Sequence, residues 1–254
     1  MEDTNSVIEK WLAPAFKDLK EHPEIHKWIR DMAFAVYRDL SGLAPSHAEF
    51  AGVYAGKAGR CFDDNFAAVE SQIKKLDENY EIACGKGCDM CCHSHITALP
   101  HEIFLIAEML IKILDESELE ALLVEIKSGA EEYEEKGFKK FALEYFRPCP
   151  FLRDNTCVIY EVRPLTCRNW ISHDLSACKA SFKSRNKIPV PQNAVLMHQK
   201  DVLFAGHNAA LSAKGINGNL CSLLPTLSAV LEDYTGCYIN WLNGEKMYGQ
   251  MEDL

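Results

Sequence analysis

Residues 84–92 run Cys84-Gly-Lys-Gly-Cys88-Asp-Met-Cys91-Cys92, and we expect this stretch to organise the fold around it. Its two glycines allow the backbone to turn tightly, so that several thiols can converge on one point. Four cysteines so close together add little as apolar packing, whereas thiolates are strong ligands for zinc and for iron–sulfur clusters. The stretch therefore predicts a metal-binding loop rather than a helix or a strand.

A second cysteine-rich stretch lies downstream. It consists of Cys149-Pro-Phe-Leu, followed by Cys157-Val-Ile-Tyr-Glu-Val-Arg163-Pro-Leu-Thr-Cys167-Arg168. Two ligand segments far apart in the chain commonly close on one metal site. Metal binding then adds to the free energy of folding, by about 10–16 kcal/mol for structural zinc. We therefore predict that both stretches ligate metal, through Cys84, Cys88, Cys91, Cys92, Cys149, Cys157 and Cys167.

These two stretches resemble the cysteine-cluster family that is named for a CxxCxxCC signature and described as zinc- or iron-chelating. The resemblance covers about residues 80–180, although this chain has three residues, not two, between its first two cysteines. Because the family has eight cysteines, the resemblance adds Cys178 as a candidate ligand. Flagellin lysine methylases have a similar cysteine pattern. That similarity implies an iron–sulfur cluster and chemistry that depends on S-adenosylmethionine.

The identity of the metal is open, because zinc and iron both accept thiolates. Eight cysteines exceed one tetrahedral site and would serve two zinc ions, or one cluster and additional free thiols. The spacing of Cys84, Cys88 and Cys91 matches radical S-adenosylmethionine enzymes, but the βαβ alternation of their barrel is missing. The compact first stretch favours a [4Fe–4S] cluster over zinc.

Adjacent thiols do not easily bind one metal together, so Cys92 is predicted to serve a second metal or to remain free.

Two arginines accompany the second stretch. Arg163 and Arg168 would offset the negative charge of the thiolates, and we predict that both contact the cofactor. Ordinary surface ion pairs are the alternative for these side chains.

The function classes that follow differ in what the metal does. The first is a cluster protein that works in redox chemistry or in S-adenosylmethionine-dependent modification of a protein substrate. The second is a non-enzymatic, zinc-stabilised module that binds a protein partner. The third is metal storage or delivery. The sequence leaves open whether the protein is an enzyme.

Other cysteines and histidines carry weaker signals. We predict that the isolated cysteines are small core residues, namely Cys61, Cys221 and Cys237. Three histidines near the cysteines are alternative ligands, proton carriers or polar loop residues, namely His93, His95 and His173. His198 and His207 are predicted to be structural.

The rest of the chain predicts a mainly α fold around an irregular cysteine-rich core. Residues 1–80 form the N-terminal helical part, 81–180 the metal-binding core, and 181–254 C-terminal helices that pack on it as one compact unit. The periodicity predicts that Pro23 ends the first helix, that glycines at 52, 56 and 59 weaken the third helix, and that Pro100 starts another. It also predicts a capping pair at Asp115 and Glu118, a helix end at Gly129, and a short strand over 157–160.

The composition of the chain argues against some classes of binding partner. The 254-residue chain has a net charge of −10 and no run of lysine or arginine, which disfavours nucleic-acid binding. Its start lacks the pattern of a signal peptide, and no apolar stretch has the length of a membrane span. Its eleven cysteines are better metal ligands than disulfide partners in a reducing compartment. We therefore expect a cytoplasmic protein, with no nucleic-acid or membrane partner and an undetermined oligomeric state.

Overall fold

A computed structural model describes residues 3–44, 46–85 and 87–251, and within them the fold is mainly α, as predicted. The helices are α1 (Thr4–Asp18), α2 (Pro23–Ser41), α3 (Phe50–Leu76), α4 (Pro100–Ile113), α5 (Glu116–Glu144), α6 (Leu165–Asn169), α7 (Leu175–Lys183), α8 (Ala194–Met197), α9 (Gln199–Ser212), α10 (Leu223–Glu232) and α11 (Tyr234–Leu242). The strands are β1 (Thr97–Ala98), β2 (Leu152–Arg153), β3 (Thr156–Cys157) and β4 (Cys221–Ser222). β1 pairs with β4, and β2 with β3, both antiparallel.

Helices α1 and α2 pack mainly against α9. Gly206 of α9 permits this, because a Cβ atom there would lie 2.5 Å from the carbonyl oxygen of Ala33. The prediction that Pro23 ends the first helix is wrong. α1 already ends at Asp18, and Pro23 is the first residue of α2. Proline is favourable there because the first turn of a helix needs no amide hydrogen.

The glycines of α3, which were predicted to weaken this stretch, do not interrupt the helix. The helix runs from Phe50 to Leu76 through all three of them. Each glycine costs about 1 kcal/mol relative to alanine in a helix interior. The apolar face of α3 outweighs that cost, because Tyr54, Ala58 and Phe62 are almost completely buried on it.

Helices α4 and α5 follow the sequence prediction only in part. Pro100 begins α4, and Asp115 with Glu118 forms the predicted capping box of α5. The predicted helix end at Gly129 is wrong, since α5 continues to Glu144. A Cβ atom at Gly129 would lie 2.5 Å from Leu224 Cδ1, so this glycine allows close contact with α10. The helix instead kinks at Gly137, where φ is 69°.

The strands are short. β2 and β3 form a hairpin whose two turn residues, Asp154 and Asn155, have φ of 48° and 57°, as a type I′ turn requires. The strand predicted over 157–160 is wrong beyond Cys157, because Tyr160–Val162 is a 3-10 turn. No helix in the described ranges is both long enough and apolar enough to span a bilayer.

Candidate metal centre

Seven of the eight predicted cysteine ligands line one cavity of about 710 Å³. They are Cys84, Cys88, Cys91, Cys92, Cys149, Cys157 and Cys167. Cys178, the eighth, lies on α7, outside the lining of this cavity. The remaining wall is largely apolar and includes Phe62 and Phe66 of α3 and Trp170 after α6. The fold thus brings both cysteine-rich stretches to one place.

The first stretch forms a loop and then a 3-10 turn over Met90–His93. Gly87 has φ of 87°, a conformation that glycine adopts at little cost and that turns the chain between Cys84 and Cys88. The loop is held at its start, where the amide of Ala83 donates to the carbonyl oxygen of Ser172 at 2.8 Å. The amide of Ser172 in turn donates to Cys84 Sγ at 3.3 Å.

The second stretch contacts the first directly. The amide of Cys149 donates a hydrogen bond of 2.7 Å to the carbonyl oxygen of Cys92. Cys149 is followed by the hairpin, in which Cys157 pairs with Leu152. Cys149, Cys157 and Cys92 are therefore brought together by backbone hydrogen bonds as well as by their shared cavity.

Cys167 is positioned by a buried carboxylate that the sequence analysis did not identify. Glu102 Oε1 accepts from the amide of Leu165 at 2.7 Å, and its Oε2 accepts from the amide of Leu99 at 2.8 Å. One side chain therefore joins the start of α4 to the start of α6, which carries Cys167. Burial raises the pKa of Glu102 to about 7. A glutamate two residues after Pro100 indicates a residue that caps the start of a helix. The contact between Glu102 and Leu165 could not be predicted from the sequence.

Burial raises the pKa values of several of these thiols. Burial raises the pKa of Cys149 to about 11 and that of Cys167 well above its ordinary value. Burial also raises the pKa of Cys84 and Cys88, and the charges of Cys91 and Cys178 raise it further. Because only thiolates bind metal, metal binding must displace protons from these groups. Metal affinity should therefore fall steeply in acid.

The two predicted arginines differ in their contacts. Arg168 donates from Nε to the carbonyl oxygen of Arg163 at 3.2 Å and from Nη2 to that of Glu161 at 2.8 Å, and Nη1 pairs with Asp63 at 3.2 Å. Its guanidinium therefore holds the 161–168 segment together and ties it to α3. Arg163 lies 3.9 Å from the centroid of the Tyr160 ring. Burial raises the pKa of Cys157, and the charge of Arg163 opposes that rise.

The thiols that line the cavity are suitable ligands for a metal, although they do not enclose a single ion. Among the described residues, no three Cys, His, Asp or Glu side chains surround one point as a single bound ion requires. The thiols are instead distributed around the cavity wall. A [4Fe–4S] cluster would bind each thiolate through a different iron, so it would accept sulfur atoms farther apart than one tetrahedral ion does.

The nearby histidines have protein partners. His95 Nε2 lies 2.7 Å from Ser222 Oγ, and burial lowers its pKa to about 4. His93 Nδ1 lies 3.2 Å from the carbonyl oxygen of Asp89, and the His173 ring lies 5.8 Å from that of Tyr80. These contacts favour structural roles.

The remaining predicted core residues lie away from the cavity lining. Cys61 and Cys221 are buried and Cys237 is half-buried against the core, as predicted. His198 and His207 are also buried, with His198 Nδ1 2.6 Å from Asp201 Oδ2.

Comparison with known proteins finds a family match for the cysteine region. Residues 83–186 match the family model named CxxCxxCC, which is described as a "putative zinc- or iron-chelating domain". No curated protein and no solved structure matches the chain. The matched range contains all eight predicted cysteine ligands, both arginines and the whole of α6 and α7. The cysteine region of this chain, residues 83–186, is therefore similar to the CxxCxxCC family.

Proposed function

We propose that this domain holds an iron–sulfur cluster that works in redox chemistry or in S-adenosylmethionine-dependent modification of a protein substrate. The observation that carries the proposal is the gathering of seven cysteines around one cavity of about 710 Å³. A structural zinc ion is normally enclosed by its four ligands and needs no such space. The size of the cavity and the spacing of the thiols support a cluster with room beside it.

The residues that line the cavity would have distinct roles. The thiolates would hold the cluster, which when bound supplies one-electron transfer. Arg163 would offset negative charge near Cys157, and the apolar wall around Phe62 and Phe66 would limit the access of water.

The rim of the cavity supports access by a second molecule. Tyr160 and Trp170 line the cavity, yet they are 52% and 42% exposed. Aromatic side chains that are both exposed and adjacent to a cavity are common at binding sites. We therefore propose that a small cosubstrate and a side chain of a protein substrate enter here. The S-adenosylmethionine part of the proposal rests on the resemblance to flagellin lysine methylases.

Paramagnetic resonance tests the redox part and the S-adenosylmethionine part separately. Protein prepared without oxygen and then reduced should give the signal of a cluster. Addition of S-adenosylmethionine should change that signal if one iron lacks a protein ligand. An unchanged signal would leave electron transfer as the function, and absence of any iron signal would exclude the cluster.

A zinc-stabilised interaction module is the second candidate. It is favoured by the contacts that link distant segments at the cysteines, such as Ser172 to Cys84 and Cys149 to Cys92. Stoichiometric zinc without iron in the purified protein would make it the first choice.

A further inference from the structure

We infer that a basic surface on α7 and the turn after it binds an acidic protein that carries single electrons and donates one to the proposed cluster. This inference rests on the proposed function and names the partner that a redox site requires. The carrier loses one electron and the cluster gains it, and no bond forms or breaks. The basic surface consists of Lys179, Lys183, Arg185 and Lys187.

The charge of the basic surface is opposite to that of the whole chain. Its four cations fall within nine residues, and residues 175–200 contain no aspartate or glutamate, whereas the chain has a net charge of −10. All four side chains are exposed. In the described part of the chain none of the four forms an ion pair, although Lys127 and Arg153 pair with glutamates elsewhere. Unpaired cations on an acidic protein create a local positive potential that attracts an acidic partner.

The turn after α7 has a strained backbone that hydrogen bonds hold in place. Arg185 and Asn186 have φ of 56° and 62°, in the left-handed region that is unfavourable for a side chain such as arginine. The amide of Asn186 donates to the carbonyl oxygen of Ser181 at 2.8 Å, and the hydroxyl of Ser184 accepts from the amide of Lys187 at 3.2 Å. Strain of this kind is frequent in functional segments. Here it fixes the backbone of two of the four cations.

Helix α7 lies beside the first cysteine stretch. Just before the helix, the amide of Ser172 donates to Cys84 Sγ at 3.3 Å. Near its end, the ring of Phe182 lies 4.8 Å from the ring of His93, which directly follows Cys92. A protein that binds the exposed side of α7 is therefore separated from this cysteine stretch by the helix alone.

The position of the basic surface favours an electron carrier as the partner. The cavity lining includes none of residues 175–187, so a protein bound on this surface leaves the cavity open to a small cosubstrate. Electron transfer needs only close approach, whereas modification of a protein side chain needs that side chain in the cavity. Complexes of electron carriers are also small and form quickly when their charges are complementary. A nucleic acid would need a longer basic stripe that follows its phosphates.

Reduction by flavodoxin, an acidic flavoprotein, tests the inference. The full-length protein is prepared without oxygen and mixed with fully reduced flavodoxin, and the absorbance of the flavin semiquinone measures the rate of electron transfer. A variant with Lys179→Glu and Lys183→Glu should react about tenfold more slowly than the wild type at low salt. The difference should shrink at high salt, which screens exposed charges.

A variant with Lys17→Glu and Lys27→Glu is the matched control. It changes the net charge by the same amount at exposed sites on α1 and α2, which pack mainly against α9. Lys17 also lies in the last turn of its helix, as Lys183 does. The control should react at nearly the wild-type rate. Equal rates in the two double variants would overturn the inference.

Dithionite separates failure of the inference from failure of the proposed function. It is a small reductant that needs no docking surface, so the wild type and both variants should give the same paramagnetic resonance signal after its addition. If all three give this signal and flavodoxin reduces both variants equally, the inference is wrong and the proposed function stands. Absence of the signal in the wild type would refute the proposed function, and the inference with it.

Calorimetry with oxidised flavodoxin measures binding without electron transfer. The affinity should fall about tenfold in the variant with Lys179→Glu and Lys183→Glu and stay nearly constant in the control. A DNA duplex is the competing probe. If DNA binds more tightly than flavodoxin and loses affinity in the same variant, the surface binds nucleic acid and the inference is overturned.

Discussion

The amide of Cys149 and the carbonyl oxygen of Cys92 form a hydrogen bond of 2.7 Å, which joins the two cysteine-rich segments through their backbones. This contact does not depend on a thiolate or on a metal. The backbone therefore contributes to the relative position of the two segments, in addition to any metal that the thiols bind.

Removal of the metal should loosen the cysteine region without unfolding the helices. The apolar cluster between α1, α2 and α9, which includes Ile8, Leu12, Ile29 and Val202, lies apart from the cysteines. After chelation, amide hydrogen exchange should accelerate over residues 83–92 and 149–178, while α9 remains protected and helical circular dichroism changes little. Loss of protection throughout α9 would show that the metal is required for the whole fold.

Glu102→Gln should destabilise the protein. The carboxylate accepts two buried amide hydrogens, from Leu99 and Leu165, whereas an amide side chain has one acceptor oxygen. One buried donor would then face an NH₂ group, at a cost of about 1–3 kcal/mol. Thermal unfolding measures this effect, with an expected decrease of about 2–4 °C for each kcal/mol.

Glu118→Gln is the matched control for Glu102→Gln. Glu118 occupies the same capping position in α5, but it is exposed and accepts one hydrogen bond, from the amide of Asp115 at 3.1 Å. It should leave the melting temperature nearly unchanged. Equal effects of the two substitutions would show that the contact with Leu165 contributes little.

Some features of this site were predictable from the sequence, and others were not. Cysteine spacing identified the residues around the cavity, because few other roles explain so many thiols in so few positions. Helix prediction failed where tertiary contacts dominate: Gly129 looks like a helix end, yet it lies in α5 because α10 packs closely there. The bond from Leu165 to Glu102 was also not predictable, since it joins residues that only the fold brings together.

Arg163→Gln and Arg168→Gln should have different effects. Arg163 has its guanidinium over Tyr160 and acts on the thiols by charge, so its loss should accelerate release of metal to a chelator several-fold. It should leave helix content intact. Arg168 makes two hydrogen bonds to carbonyl oxygens and an ion pair with Asp63, so its loss should lower the melting temperature. If Arg163→Gln releases metal at the wild-type rate, the Arg163 side chain makes only surface contacts and does not act on the thiols.

Two buried histidines should make the fold sensitive to acid. Burial lowers the pKa of His207 to about 3 and that of His101 well below 6.5. Between their folded values and 6.5, the unfolded chain binds protons that the folded chain does not. The free energy of unfolding should therefore fall as the pH falls below 6.5, by about 1.4 kcal/mol per pH unit for each histidine.

His101→Leu tests this pH dependence. Among the residues that the structure describes, neither ring nitrogen of His101 has a hydrogen-bond partner. Leucine therefore removes a polar group that is costly to bury, without the loss of a hydrogen bond. Urea unfolding at pH 7, 6 and 5 should show a smaller loss of stability in the variant than in the wild type. Identical pH dependence would exclude His101 as a source of the acid sensitivity.

The central claim is that the cysteine-lined cavity holds an iron–sulfur cluster. Its most direct test is the content of iron, zinc and acid-labile sulfide in protein purified without oxygen, together with a visible absorption spectrum. We predict iron and sulfide in equal amounts and a coloured protein, because sulfur-to-iron charge transfer absorbs visible light. A colourless protein with stoichiometric zinc and no iron would contradict the claim, since Zn²⁺ has a filled d shell.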